Sequence, residues 1–240
     1  QPIEAIGALC RAAGVRLHVD AVQVLGHLPI DLSRLPVDLL SVAAHKLQGP
    51  RGIGALALAE GVRIAPLIGG GGQEGGRRGG TEPVLLAHGF ATALELASER
   101  LAAHGGSDPL ASLRDRLWLQ LQALAGLELT GADPVGAVAR LPHHLSLIVH
   151  DRGGQPLSGR ALVRALARRG WGVSSGSACS QGGAGSERPS PVLQAMGYSD
   201  AQAASGLRLS LGPWLTAADL DLFAADLEDA LDDPAVMPVV

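Results

Sequence analysis

Apolar residues recur every three or four positions at the start of the chain. Ile3, Ile6, Leu9 and Cys10 mark one face of a helix over residues 1–13. The pattern then shortens to apolar runs at residues 16–19, 37–44 and 53–59, which predict strands, the first closed by Asp20. A glycine-rich stretch, residues 69–80, interrupts the order. After Pro83 helical spacing returns through Leu94, Leu96 and Leu101 to about His104. His104-Gly105-Gly106-Ser107 reads as a break before a helix over 110–124. Strands at 127–130, 145–150, 171–174 and 207–211 and helices at 158–168 and 216–231 complete the pattern. The last helix opens on Thr216-x-x-Asp219, a cap signature.

Helices and strands alternate over the first hundred residues, which predicts an α/β sheet with functional groups at strand ends. The remainder reads as α+β. The boundary falls near residue 100, giving units at 1–100 and 101–240, and no internal repeat is evident. Because Gln1 already lies inside a helical pattern, the sequence reads as an excerpt of a longer protein.

Composition narrows the function classes. Hydrophobic residues make up 47 % of the 240 positions and charged residues 18 %, as in a globular chain with a real core. Aromatics are only 2 %, which argues against stacking platforms for bases or sugars. The net charge of −4 argues against a nucleic-acid or membrane-surface partner. No apolar run approaches bilayer length, and no basic and apolar leader pattern is present. Cys10 and Cys179 form neither a disulfide framework nor a metal spacing, so a reduced, cytoplasmic setting is the default. Of the eight His, only His143 and His144 are adjacent, and adjacent strand residues face opposite ways, so no metal site is expected.

Five places could carry chemistry. Lys46 follows an apolar run beside His45 and precedes the turn Gly49-Pro50-Arg51-Gly52. A Lys that loses water there favours its neutral amine, which can form a Schiff base; otherwise it caps a strand in solvent. Asp20 could pair with a cationic ring nitrogen, with Gln23 close behind, or could cap the next element. The stretch 69–80, with Gln73, Glu74, Arg77 and Arg78 and then Thr81, could cradle a phosphate or be a surface loop. Cys179 sits among Ser and Gly with nothing to bury, and could be an accessible nucleophilic thiol or a bystander. Arg208 alternates with apolar residues in Leu207-Arg208-Leu209, and could fork a carboxylate or face solvent.

Taken together, these segments resemble the cysteine desulfurases of the class-V aminotransferase group. The matching stretches are His18-Val19-Asp20-Ala21-Val22-Gln23, His45-Lys46 with residues 49–56, residues 70–74 with Arg78-Gly79-Gly80-Thr81, residues 174–179, and residues 207–212. They follow the family's order across nearly the whole chain. The resemblance implies a fold-type I pyridoxal-phosphate-dependent transferase. Residues 1–100 would be the C-terminal part of a large domain with a mostly parallel sheet, and 101–240 a smaller α+β domain. Lys46 would hold pyridoxal 5'-phosphate, Asp20 would keep its ring nitrogen protonated, and Gln23 would bond its phenolic oxygen. His45 would contact the phosphate, and Thr81 the phosphate of a neighbouring subunit, which implies a homodimer. Arg208 would bind the carboxylate of L-cysteine. Cys179 would take the sulfur as a persulfide, release L-alanine, and pass the sulfur to an acceptor protein.

The sequence departs from the family pattern in places. Ala43 stands where the family has Ser, removing a phosphate hydroxyl. The family's main phosphate-binding turn, an Asn and a ring-stacking His lie upstream of the segment that matches Gln1. Residues 181–190 are longer and richer in glycine than usual. Alternatives are a selenocysteine lyase, another class-V aminotransferase, or a truncated, non-catalytic chain. The acceptor pathway, iron–sulfur cluster assembly or tRNA thiolation among others, stays open.

Overall fold

The computed structural model describes residues 1–134, 140–176 and 189–239. It divides into two compact units, Gln1–Asp108 and Pro109–Val240.

The first unit opens with helix α1 (Ile3–Ala12), whose Gly7 is buried. Strands β1 (His18–Asp20), β2 (Leu39–Ala43) and β3 (Gly54–Leu58) form a mixed sheet in the order β1-β2-β3. β1 and β2 run parallel, with Asp20 beside Ser41; β2 and β3 run antiparallel, with Ala43 beside Gly54. At the other end of the parallel pair, Asp38 accepts from the Leu17 N–H at 2.9 Å and pairs with Arg16. Those contacts hold its carboxyl below the ordinary range. A 3-10 turn, Ala44–Leu47, follows β2 directly, and helix α2 (Val84–Ala103) packs on it. Gly26 makes this packing possible: its φ is +81°, and a Cβ there would stand 3.2 Å from Ala97 Cβ and 3.3 Å from Leu47 Cβ. Buried Asp108 takes His27 Nδ1 at 2.6 Å and Arg100 at 3.6 Å, tying the turn around Gly26 to the end of α2.

Few large side chains are buried in this unit. Its buried apolar residues are Leu40, Leu47, Leu101 and three alanines, whereas Leu67, Val84 and Leu85 are largely exposed. The area-proportional driving force is correspondingly small here.

The second unit has the larger core. Strands β4 (Leu127–Leu129), β5 (His144–Val149) and β6 (Gly206–Ser210) form an antiparallel sheet in the order β4-β5-β6. Alternation along β5 separates two faces. Leu145, Leu147 and Val149 join Leu207 and Leu209 in a cluster built with helices α3 (Leu110–Leu121), α4 (Gly159–Arg168) and α7 (Ala217–Leu231). On the opposite face Ile148 packs on Leu193 of α5 (Pro191–Ala195) and Ala203 of α6 (Asp200–Ala204). The predicted cap is present, with the Thr216 hydroxyl accepting from the Asp219 N–H and the Asp219 carboxylate accepting from the Thr216 N–H.

Two expectations differ. Residues 171–174 make no strand; Ser174 alone bridges to Arg208, and Trp171 meets Phe223 edge-on at 5.2 Å. Helices α5 and α6 were not foreseen. Each spans five residues, too short for hydrophobic periodicity to declare itself, although the Ser199/Gln202 capping box was readable.

Candidate functional site

The first unit gathers its candidate groups where the parallel strands end, the edge at which α/β sheets bind ligands. Asp20 is the last residue of β1, and its Oδ1 accepts from the Val22 N–H at 2.9 Å. That bond is the capping role open to it from sequence, and it leaves Oδ2 without a partner among the described residues. On the same face, His18 Nε2 meets Ser41 Oγ at 2.7 Å. β2 ends at Ala43, and the 3-10 turn then carries His45 and Lys46. The turn closes on Gln48 in the left-handed region, φ +68°. Lys46 Nζ and the side chains of His45, Gln23 and Thr81 make no hydrogen bond or ion pair among the described residues.

Lys46 is exposed, as are Asp20, Gln23 and His45. The loss of water expected for Lys46 is therefore not supplied by the described residues. Ala44 and Leu47 take the inward positions of the turn and leave positions 45 and 46 facing out.

The glycine stretch forms a closed loop. The Gly79 N–H donates to Ile68 O at 2.9 Å, and a Cβ on Gly79 would stand 2.5 Å from Gly69 O, so only glycine fits this approach. Arg77 donates to Glu74 O and Arg78 to Gly79 O, committing part of each guanidinium to the loop itself. Thr81 follows, exposed.

In the second unit, the polar part of the outer sheet face walls a cavity of about 400 Å³. His144, Ser146 and Arg208 come from the sheet, with Thr130 and Arg140 beside them. Val192, Leu193 and Met196 form an apolar wall. Ser146 sits opposite Arg208, and the Thr130 hydroxyl donates to Ser146 Oγ at 2.7 Å. Arg208 Nε is buried with no hydrogen-bond partner among the described residues, so the alternation that also allowed a solvent-facing Arg places it in a cavity. Arg140 is held by the carbonyls of Ala132 and Thr130, and Arg114 by Asp115 and Leu141 O. Burial, then Arg140, Arg208 and Arg114, push the His144 imidazole down to about 4, so it is neutral at pH 7.

His144 enters the site as well. Its signal was the alternation His144-Leu145-Ser146-Leu147 opposite Leu207-Arg208-Leu209, one residue longer than the predicted strand. Cys179 lies outside the described residues; Ser175, Gly176 and Ser190, on either side of that segment, line the cavity. Among the described residues, no group of three or more His, Cys, Asp or Glu could hold a metal ion, and no helix is long and apolar enough to cross a membrane.

The sequence profile of the class-V aminotransferases matches residues 1–223. The chain belongs to that family. It is similar to the cysteine desulfurase IscS of Serratia proteamaculans, at 42 % identity over 223 residues covering 92 % of this chain and 51 % of that protein. The chain thus spans about half the length of the curated relatives it matches. A solved NifS-like protein from Rickettsia africae superposes with a TM-score of 0.79 at 27 % identity, over 96 % of this chain and 57 % of that one. SspA, solved in complex with cysteine, superposes at 0.67 with 31 % identity, over 90 % of this chain and 56 % of its own. The class-V fold is that of fold-type I enzymes, here with one mixed sheet, not the mostly parallel one expected, and one antiparallel sheet, and the family depends on pyridoxal phosphate.

The donor set at the ends of β1 and β2 fits that cofactor. A primary amine, a carboxylate with a spare oxygen, an imidazole and a carboxamide are all uncommitted at one sheet edge.

Proposed function

We propose that the chain carries the lysine, substrate-arginine and sulfur-accepting parts of a cysteine desulfurase, which converts L-cysteine to L-alanine and an enzyme-bound persulfide. The observation that carries the reading is the placement of Asp20, at the end of β1, and Lys46, in the turn that follows the adjacent parallel strand β2, with one Asp20 oxygen and the Lys46 amine without partners among the described residues. The likeness to cysteine desulfurase IscS over 92 % of the chain supports it.

Lys46 would hold pyridoxal phosphate through Nζ and move a proton at the substrate Cα. Asp20 Oδ2 would hold a proton on the ring nitrogen, Gln23 would bond the phenolic oxygen, and His45 would bond the phosphate. When bound, the cofactor supplies an electron sink for the bonds broken at the substrate. Thr81 would reach the phosphate of a partner subunit, so a homodimer belongs to the reading. Arg208 would grip the substrate carboxylate through the Nε edge that has no partner among the described residues. The Cys179 thiolate would attack the substrate sulfur. The new S–S bond forms as the substrate C–S bond breaks; that electron pair and a proton leave in alanine, and a sulfur-acceptor protein would then take the persulfide sulfur. A reduced, cytoplasmic setting goes with a free Cys179 thiol.

The test is borohydride reduction after adding pyridoxal phosphate, followed by peptide mapping. The expected result is an adduct on Lys46 that is absent from Lys46→Ala. No adduct on Lys46 would overturn the reading for this chain and favour a non-catalytic one.

A further inference from the structure

Two groups line the cavity of the second unit without a hydrogen bond among the described residues: Arg208 Nε, which is buried, and the His144 ring. They lie on one sheet face, because Ser146 is two residues from His144 and directly opposite Arg208. The Thr130 and Ser146 hydroxyls are bonded to each other beside them. Arg140 adds positive charge while bound to the Thr130 and Ala132 carbonyls. A small cavity with an apolar wall and a few convergent polar groups is a ligand site in form.

We propose that His144 is a positioning residue for the carboxylate that Arg208 grips, making the second contact to a small amino acid in this cavity. The proposal rests on the reading of Arg208 as the carboxylate-binding residue. A guanidinium fork alone leaves a carboxylate free to rock in its own plane. A second donor from the neighbouring strand fixes that rotation and therefore the direction of the substrate Cα.

The charges around His144 make the contact measurable. Arg140, Arg208 and Arg114 face it, Asp115 neutralises Arg114, and Asp133 acts on Arg140. The residues that α5 contributes to the cavity carry no charge. A bound carboxylate cancels part of the field that keeps the ring unprotonated. Its binding then draws a proton onto His144, and by linkage affinity rises as pH falls from 7 toward 5. L-alanine suits this test because its own carboxylate stays ionised over that range.

The experiment is thermal unfolding of the full chain with increasing L-alanine at pH 7 and pH 5, with L-alaninamide as the control lacking a carboxylate. Wild-type chain should be stabilised by L-alanine and not by the amide, with affinity roughly threefold higher at pH 5. His144→Gln should bind about tenfold more weakly at pH 5 and lose the pH dependence. Arg208→Gln should show no stabilisation. A flat wild-type pH profile, or His144→Gln binding as wild type does, overturns the role of His144 while leaving Arg208 in place. If His144→Gln fails to fold, the wild-type profile decides. Arg208→Gln binding as wild type does, or no stabilisation of wild type at either pH, overturns the reading of Arg208 and this proposal with it.

Discussion

Arg208 and Ser174 exchange both backbone hydrogen bonds, at 2.6 Å and 3.2 Å, on the edge of β6 away from β5. This bridge fixes the residue on which the substrate reading rests. It also anchors the chain just before the segment that contains Cys179.

Ser174→Pro removes one of the two donors. The variant should lose about 1–3 kcal/mol of unfolding free energy by urea titration. An unchanged midpoint would show that the bridge has no such role.

Trp171 Nε1 donates to Asp226 Oδ2 at 2.6 Å, while its ring meets Phe223 at 81°. Trp171→Phe keeps an aromatic edge contact and removes the donor. The expected cost is about 1.5–3 kcal/mol, the range for a hydrogen bond to a charged group, read as a shift in the denaturant midpoint. Adding Asp226→Asn should recover part of it, since the carboxylate then no longer goes unpaired.

Leu147 is fully buried between β5 and the helices. Leu147→Ala should cost about 2–5 kcal/mol, from lost transfer energy and the void left behind. Exposed Leu67→Ala should move the midpoint by less than about 0.5 kcal/mol. A comparable loss at both positions would contradict the burial described here.

Unfolded His144 takes up a proton near 6.5, but in the folded chain it does so only near 4. Between those values acid favours the unfolded chain. Stability should therefore fall as pH drops from about 6.5 to about 4, by roughly 3 kcal/mol at most. His144→Gln should flatten that part of the profile. The Asp38 and Asp219 carboxyls, lowered by the hydrogen bonds they accept, act in a more acidic window: their contribution is present above the ordinary carboxylate value and is lost below it. Urea midpoints at a series of pH values in wild type and His144→Gln separate the two windows.

Local sequence pattern sets most of the element ends and their order, apart from the short helices α5 and α6 and residues 171–174. Hydrophobic spacing, caps such as Thr216 with Asp219, and breakers such as Pro83 are local, and the backbone answers them locally. The sequence also determined the family, because Asp20, Lys46 and Arg208 keep their neighbours and their order. Tertiary structure decided what covers each face. Alternation marks Arg208 as different from Leu207 and Leu209, but whether it meets solvent or a cavity depends on α5, on Ser174 and on β5, distant in sequence. For the same reason His144 was read with its neighbour His143 rather than with Arg208, 64 positions away and one strand over. The exposure of Lys46 was decided in the same way: a run of apolar residues says that a strand can be buried, and only the packing of its neighbours decides whether the residue at its end loses water.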